Sequence, residues 1–141
     1  AILAGFDKEN TDKCAQMGSH FGIAFQIVDD LLDYGFGSKN LDKAKFTDLG
    51  NGLITLPLLY YFESCNAQER SDMESLIAKA DQPDIPEKII EKLNEKDAFK
   101  KAKACAQDHL EKALVIAQGL PNSTFTDEII QMFSSMDNRG N

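Results

Sequence analysis

Cysteine is scarce in this sequence: Cys14, Cys65 and Cys105 are odd in number, far apart and never in CxxC spacing. That excludes both a disulfide framework and a cysteine zinc site, and makes a reducing cytoplasm the expected compartment. Histidine is scarcer still. His20 and His109 have no second His or Cys at ligand spacing, so each reads as a solvated or packed side chain. No block of Lys or Arg interrupts a net charge of −8, and no basic patch is interleaved with aromatics, which argues against nucleic acid as a partner. Long hydrophobic runs are missing too. The opening stretch Ala1-Ile2-Leu3-Ala4-Gly5 is too short for a signal peptide or a membrane span, and no transmembrane segment is expected. It reads as the tail of a helix that begins earlier, which predicts a piece of a longer chain.

Strand signals are nearly absent as well, whereas helical periodicity recurs between Gly, Pro and polar breaks, so the fold class is all-α. The pattern predicts helices over 10–34, 53–64, 67–80, 86–94, 96–118 and 125–137. Gly35 and Gly37 follow the first, Asp84 before Pro86 can open the fourth, Gly119-Leu120-Pro121 closes the fifth, and Ser123 or Thr124 can cap the last. Helices 86–94 and 96–118 carry apolar residues on one side, including Ile89, Ile90, Leu93, Phe99, Ala102, Ala106, Leu110 and Leu114, with Lys and Glu opposite. They read as ordinary core-packing helices. No repeat, low-complexity segment or linker divides the 141 residues, so they form a single unit of folding or part of one.

What is present in abundance is acid in an apolar setting. Segment 21–34 is apolar almost all round, yet a helical rotation of about 100° per residue places Gly22, Phe25, Gln26, Asp29 and Asp33 on one face, with Asp30 at its margin. A helix with so many apolar sides is expected to lie buried in a bundle and to take its carboxylates with it. Three carboxylates in five residues, with no Lys or Arg among them, repel one another and call for cations or a wet cavity. Oxygen donors without His or thiolate favour hard cations, Mg²⁺ or Ca²⁺. Asp29 and Asp33, one turn apart on a helix, do not have the alternating loop spacing of an EF-hand. Mg²⁺ held by one or two carboxylates keeps positions for phosphate oxygens, so a Mg²⁺-bridged diphosphate is the ligand this stripe suits. The competing reading is a solvated acidic face near a helix end.

Residues Gly22-Ile23-Ala24-Phe25-Gln26-Ile27-Val28-Asp29-Asp30-Leu31-Leu32-Asp33-Tyr34 resemble the second aspartate-rich signature of the trans-isoprenyl (polyprenyl) diphosphate synthases. Leu41-Asp42-Lys43, Asp48-Leu49, Gly52 and Thr55-Leu56-Pro57-Leu58-Leu59 follow in the family's order and spacing. The resemblance implies the isoprenoid synthase helical bundle, with residues 1–141 as the C-terminal portion of one polyprenyl synthase domain and the first aspartate-rich motif lying upstream. It implies a Mg²⁺-dependent prenyltransferase that condenses an allylic diphosphate with isopentenyl diphosphate, and a homodimer.

By the same resemblance Asp29 is the leading Mg²⁺ ligand, with Asp30 and Asp33 completing the metal site. Gln26 and Phe25 face the reacting isoprenoid, and Lys43 approaches the diphosphate, to which Gln26 and Asp29 also contribute. Three positions depart from the family: Asp42 and Phe46 stand where glycine is common, and Leu53 stands where many members have lysine. Two other readings stay open from sequence, a non-catalytic subunit of a heteromeric prenyl synthase and a helical acidic metal-binding or interaction module.

Overall fold

The computed structural model describes residues 5–36, 46–121 and 126–131, and among them every regular element is helical. The predicted all-α class holds. In chain order the helices are α1 (Lys8–Asp33), α2 (Thr47–Gly50), α3 (Leu56–Ser64), α4 (Ala67–Ile77), α5 (Ile85–Glu95) and α6 (Ala98–Gln118), with a further helical segment over 126–131. None is long and apolar enough to cross a membrane. The residues group into two units, Ala1–Gln26 with Cys105–Asn141, and Ile27–Ala104.

In the second unit, α3 and α4 pack on α5. Ile85, Ile89 and Leu93 lie one turn apart on α5 and are buried, as the apolar stripe predicted. Against them the unit buries Pro57, Leu58 and Tyr61 of α3 and Met73 of α4. Each large apolar side chain so buried contributes about 1.5–3 kcal/mol. Local chemistry sets the helix starts. Thr55 is extended (φ −91°, ψ 170°) as the N-cap and Pro57 sits in the first turn, where its missing N–H costs no helical hydrogen bond, so α3 starts at Leu56 rather than at the predicted residue 53. Asn66 and Glu69 form a reciprocal capping box at α4, and Glu69 is also paired with Lys96 at 2.8 Å, tying the start of α4 to the end of α5. Asp84 precedes α5 but makes no side-chain cap. Asp97, at φ 53°, breaks the chain between α5 and α6 and delays α6 to Ala98.

In the first unit, Asp7 accepts the Asn10 N–H at 2.9 Å and opens α1 two residues before the predicted start. Ala113 and Ala117 of α6 are fully buried, with Met17, Phe21, Leu110, Leu114, Ile129 and Ile130 packed around them. Alanine at those two positions lets the neighbouring elements approach closely. Cys14, Cys65 and Cys105 are free thiols. The predicted caps Ser123 and Thr124, most of Ala1–Gly5, Gly37 and the end of the predicted helix 125–137 lie outside the described residues.

One expectation about α1 is corrected. Ala24, Ile27, Leu31 and Tyr34 form a single buried stripe, while Ile23, Phe25, Val28 and Leu32 are exposed, Leu32 at 57%. The segment is therefore amphipathic in its burial though not in its composition. Only one side of it meets other described elements.

Candidate functional site

The three sequence-identified carboxylates have three different surroundings. Asp29 is exposed, Asp30 is buried at 9% exposure, and Asp33 is intermediate. The stripe does not go into the core as a whole, because the helix turns its acidic face outward and only Asp30, at the margin, comes within the buried side.

Asp33 has a duty that its position in the motif does not reveal. Its Oδ1 accepts the Thr47 N–H and its Oδ2 the Asp48 N–H, both at 3.1 Å, while its backbone oxygen accepts the Phe46 N–H at 3.2 Å. The first N–H groups of α2 have no intrahelical partner, and Phe46 before them supplies no side-chain cap. Asp33, from the end of α1, caps α2 across the intervening segment. A carboxylate has about four acceptor positions, so these two bonds leave others for a cation.

The docking brings a fourth carboxylate to the cluster. Asp48 is held above the usual carboxylate range, first by loss of solvation and then by the repulsion of Asp33, Asp30 and Asp29 in turn. Among the described residues, the charges that act on it are all negative. A carboxyl raised in the folded state is one whose charged form the fold disfavours, so neutralising it should stabilise. Asp48→Asn is expected to raise the unfolding midpoint by about 2 °C in Mg²⁺-free buffer. Scanning calorimetry at neutral pH checks this, and an unchanged or lower midpoint would contradict the repulsion described.

Beneath the carboxylates lies Tyr34, 3% exposed, with its hydroxyl 2.9 Å from Thr55 Oγ1. Its ring meets Phe46 and Phe99 edge-on at centroid distances of 5.8 and 5.5 Å. Burial, followed by the nearby Asp33, Asp30 and Asp48 charges, pushes its hydroxyl up to about 12 against the lowering effect of Thr55. It stays protonated and serves as a support rather than an acid. Phe46 reaches this contact in the left-handed region, φ 49° and ψ 30°. That conformation costs a non-glycine residue about 1–2 kcal/mol, which the aromatic pairing offsets by about 0.5–1.5 kcal/mol. The glycine common in the family at this position would adopt it freely.

Phe25 and Gln26 precede Asp29 on α1 and are both exposed, with the Phe25 ring 6.3 Å from that of Phe21. Lys43 and Asp42 lie outside the described residues, so the geometry joins four aspartates and does not address the lysine. Asp48 was visible in sequence only as part of a downstream match. Its role depends on a fold-back that periodicity cannot show.

Among the described residues the donor set suits a hard cation: carboxylates, with no imidazole or thiolate beside them. Among the described residues no three His, Cys, Asp or Glu side chains converge closely enough to cage a metal.

The chain is similar to known proteins over most of its length. A family model for polyprenyl synthetases matches residues 1–93. A probable mitochondrial hexaprenyl pyrophosphate synthase of Neurospora crassa is 32% identical over 133 residues, covering 94% of this chain and 28% of that protein. Solanesyl-diphosphate synthase 1 of Oryza sativa is 30% identical over 97% of this chain and 31% of its own length, and octaprenyl diphosphate synthase of Escherichia coli is 29% identical over 92% and 40% respectively. The chain thus spans well under half the length of these relatives. With its helical fold, its aspartate cluster and a family match over most of its length, the chain belongs to the polyprenyl synthetase family.

Proposed function

We propose that this chain is the part of a trans-prenyl diphosphate synthase that presents one Mg²⁺-binding acidic face to an allylic diphosphate, for condensation with isopentenyl diphosphate. The observation that carries the reading is that Asp33 caps the start of α2 and so brings Asp48 within the electrostatic reach of Asp33, Asp30 and Asp29. Bound Mg²⁺ would neutralise the diphosphate as it departs. Asp29, exposed on the acidic face of α1, is assigned the direct contact with that ion, with Asp33 at the end of α1 and Asp48 in α2 contributing beside it. Asp30, at the edge of the core, adds charge from below.

In the reaction the allylic carbon–oxygen bond breaks, the new carbon–carbon bond forms to isopentenyl diphosphate, and a proton is lost. Phe25 offers an exposed aromatic face, and Gln26 an amide oxygen, to the developing allylic cation. Lys43 is assigned to the diphosphate by the family pattern. The exposed Ile23, Val28 and Leu32 give the same helix an apolar surface suited to cover by further polypeptide, which would keep water from the cation. Residues 1–141 are proposed as the C-terminal portion of a single domain, which the short coverage of the relatives supports. Homodimerisation of the whole protein belongs to the same proposal.

The test is thermal unfolding of this chain with Mg²⁺, with farnesyl diphosphate, and with both. Together, at about a hundred times the dissociation constant, they are expected to raise the midpoint by about 10 °C, and either alone by far less. Equal stabilisation by the diphosphate without Mg²⁺ would sink the reading. The 141 residues alone are expected to give no condensation product, because a single acidic face cannot hold the diphosphate from both sides.

A further inference from the structure

The two histidines, 89 residues apart in sequence, are partners in space. His20 on α1 and His109 on α6 lie within the first unit, and their Nδ1 atoms are 2.9 Å apart, with ring centroids 5.0 Å apart and planes inclined by 51°. Both side chains are half-buried. The chain contains no other histidine.

Without a metal this contact is a hydrogen bond in which one ring must be the Nδ1–H tautomer and the other must present a bare Nδ1. The same approach suits a shared metal. At an ordinary metal–imidazole distance, two nitrogens 2.9 Å apart subtend about 90° at the ion. That is the angle between adjacent ligands in a square-planar or octahedral complex and is narrower than the tetrahedral angle that zinc prefers. We propose that His20 and His109 form a two-imidazole site for a divalent transition-metal ion of tetragonal or octahedral preference, Ni²⁺ or Cu²⁺, linking α1 to α6.

Each imidazole binds through Nδ1 as the neutral ring, so the ring that carries Nδ1–H shifts that proton to its own Nε2 by way of solvent, with no net proton release. Asp108 lies close enough for both rings to act on its carboxyl, although its direct bond is to Lys112 at 2.6 Å. It contributes negative charge beside the ion without being a ligand. Among the described residues no third His, Cys, Asp or Glu joins the pair, so water completes the coordination through the exposed side. The site is separate in ligand chemistry from the carboxylate face. Mg²⁺, which prefers oxygen, would not compete for it.

The experiment titrates Ni²⁺ into the untagged chain and follows both the histidine ring resonances and the unfolding midpoint. Both ring spin systems are expected to broaden together at substoichiometric Ni²⁺. The midpoint should rise by about 5 °C at about ten times the dissociation constant. The rise should be lost in His20→Gln and in His109→Gln, and should persist with excess Mg²⁺ present. Broadening of one ring alone or of neither would overturn the proposal, as would an undiminished rise in the double variant. The ring resonances of the unsubstituted chain keep the test decisive if a variant does not fold.

Discussion

Asp29→Ala is expected to abolish the joint stabilisation by Mg²⁺ and farnesyl diphosphate while leaving the metal-free midpoint nearly unchanged. Asp29 is exposed and no described contact of the fold depends on its carboxylate, so its removal subtracts a ligand and little else. In the synthase that carries this segment, the same substitution is expected to lower Mg²⁺-dependent incorporation of labelled isopentenyl diphosphate by about 10²–10³-fold, the usual cost of removing one group that stabilises developing charge. Unchanged incorporation would refute the assignment. Asp33→Ala cannot serve as the same test. It also uncaps α2, and a loss of binding would mix ligation with the misplacement of Asp48.

The second large effect is structural and lies directly under the first. Tyr34→Ala is expected to cost about 3–5 kcal/mol, since it removes a buried ring that meets both Phe46 and Phe99 and leaves a cavity. Tyr34→Phe keeps the ring and leaves the Thr55 hydroxyl, itself buried, without this partner, at about 1–2 kcal/mol. Denaturant unfolding of the pair separates the packing contribution from the hydrogen bond. Equal losses would mean that the ring contacts contribute little. Because Phe46 and Thr47 stand on Tyr34 and Asp33, the alanine variant should also lose Mg²⁺-dependent diphosphate binding, whereas the phenylalanine variant should retain most of it.

Much of this was legible in the sequence for a physical reason. Helices α1, α3, α4, α5 and α6 are long enough for apolar residues to recur on one side, and a periodic pattern is a local property that needs no knowledge of partners. The burial of Ile89, Leu93, Phe99 and Ala102 follows from it. What escaped is either too short to have a period or depends on distant residues. Helix α2 has four residues and is defined by a cap that comes from Asp33, fourteen and fifteen positions earlier. The left-handed backbone at Phe46 is hidden because phenylalanine seldom adopts it. His20 and His109 looked unpartnered in sequence, since spacing rules see only neighbours along a helix. The burial of segment 21–34 was overestimated because composition counts apolar residues without knowing what lies opposite them. Ile23, Phe25, Val28 and Leu32 show the difference.

The acidic motif itself was readable as a stripe on one helix, but the approach of Asp48 to it was not. Asp48 joins the stripe only when the chain after α1 folds back on Asp33. The central claim is that the cluster holds a divalent ion that a diphosphate shares. Anomalous diffraction from crystals grown with Mn²⁺ in place of Mg²⁺ and a non-reactive allylic thiodiphosphate tests it most directly. A manganese peak bonded to Asp29 and to a diphosphate oxygen is the expected result. Diphosphate seated elsewhere, or bound beside the aspartates with no metal between, would contradict it.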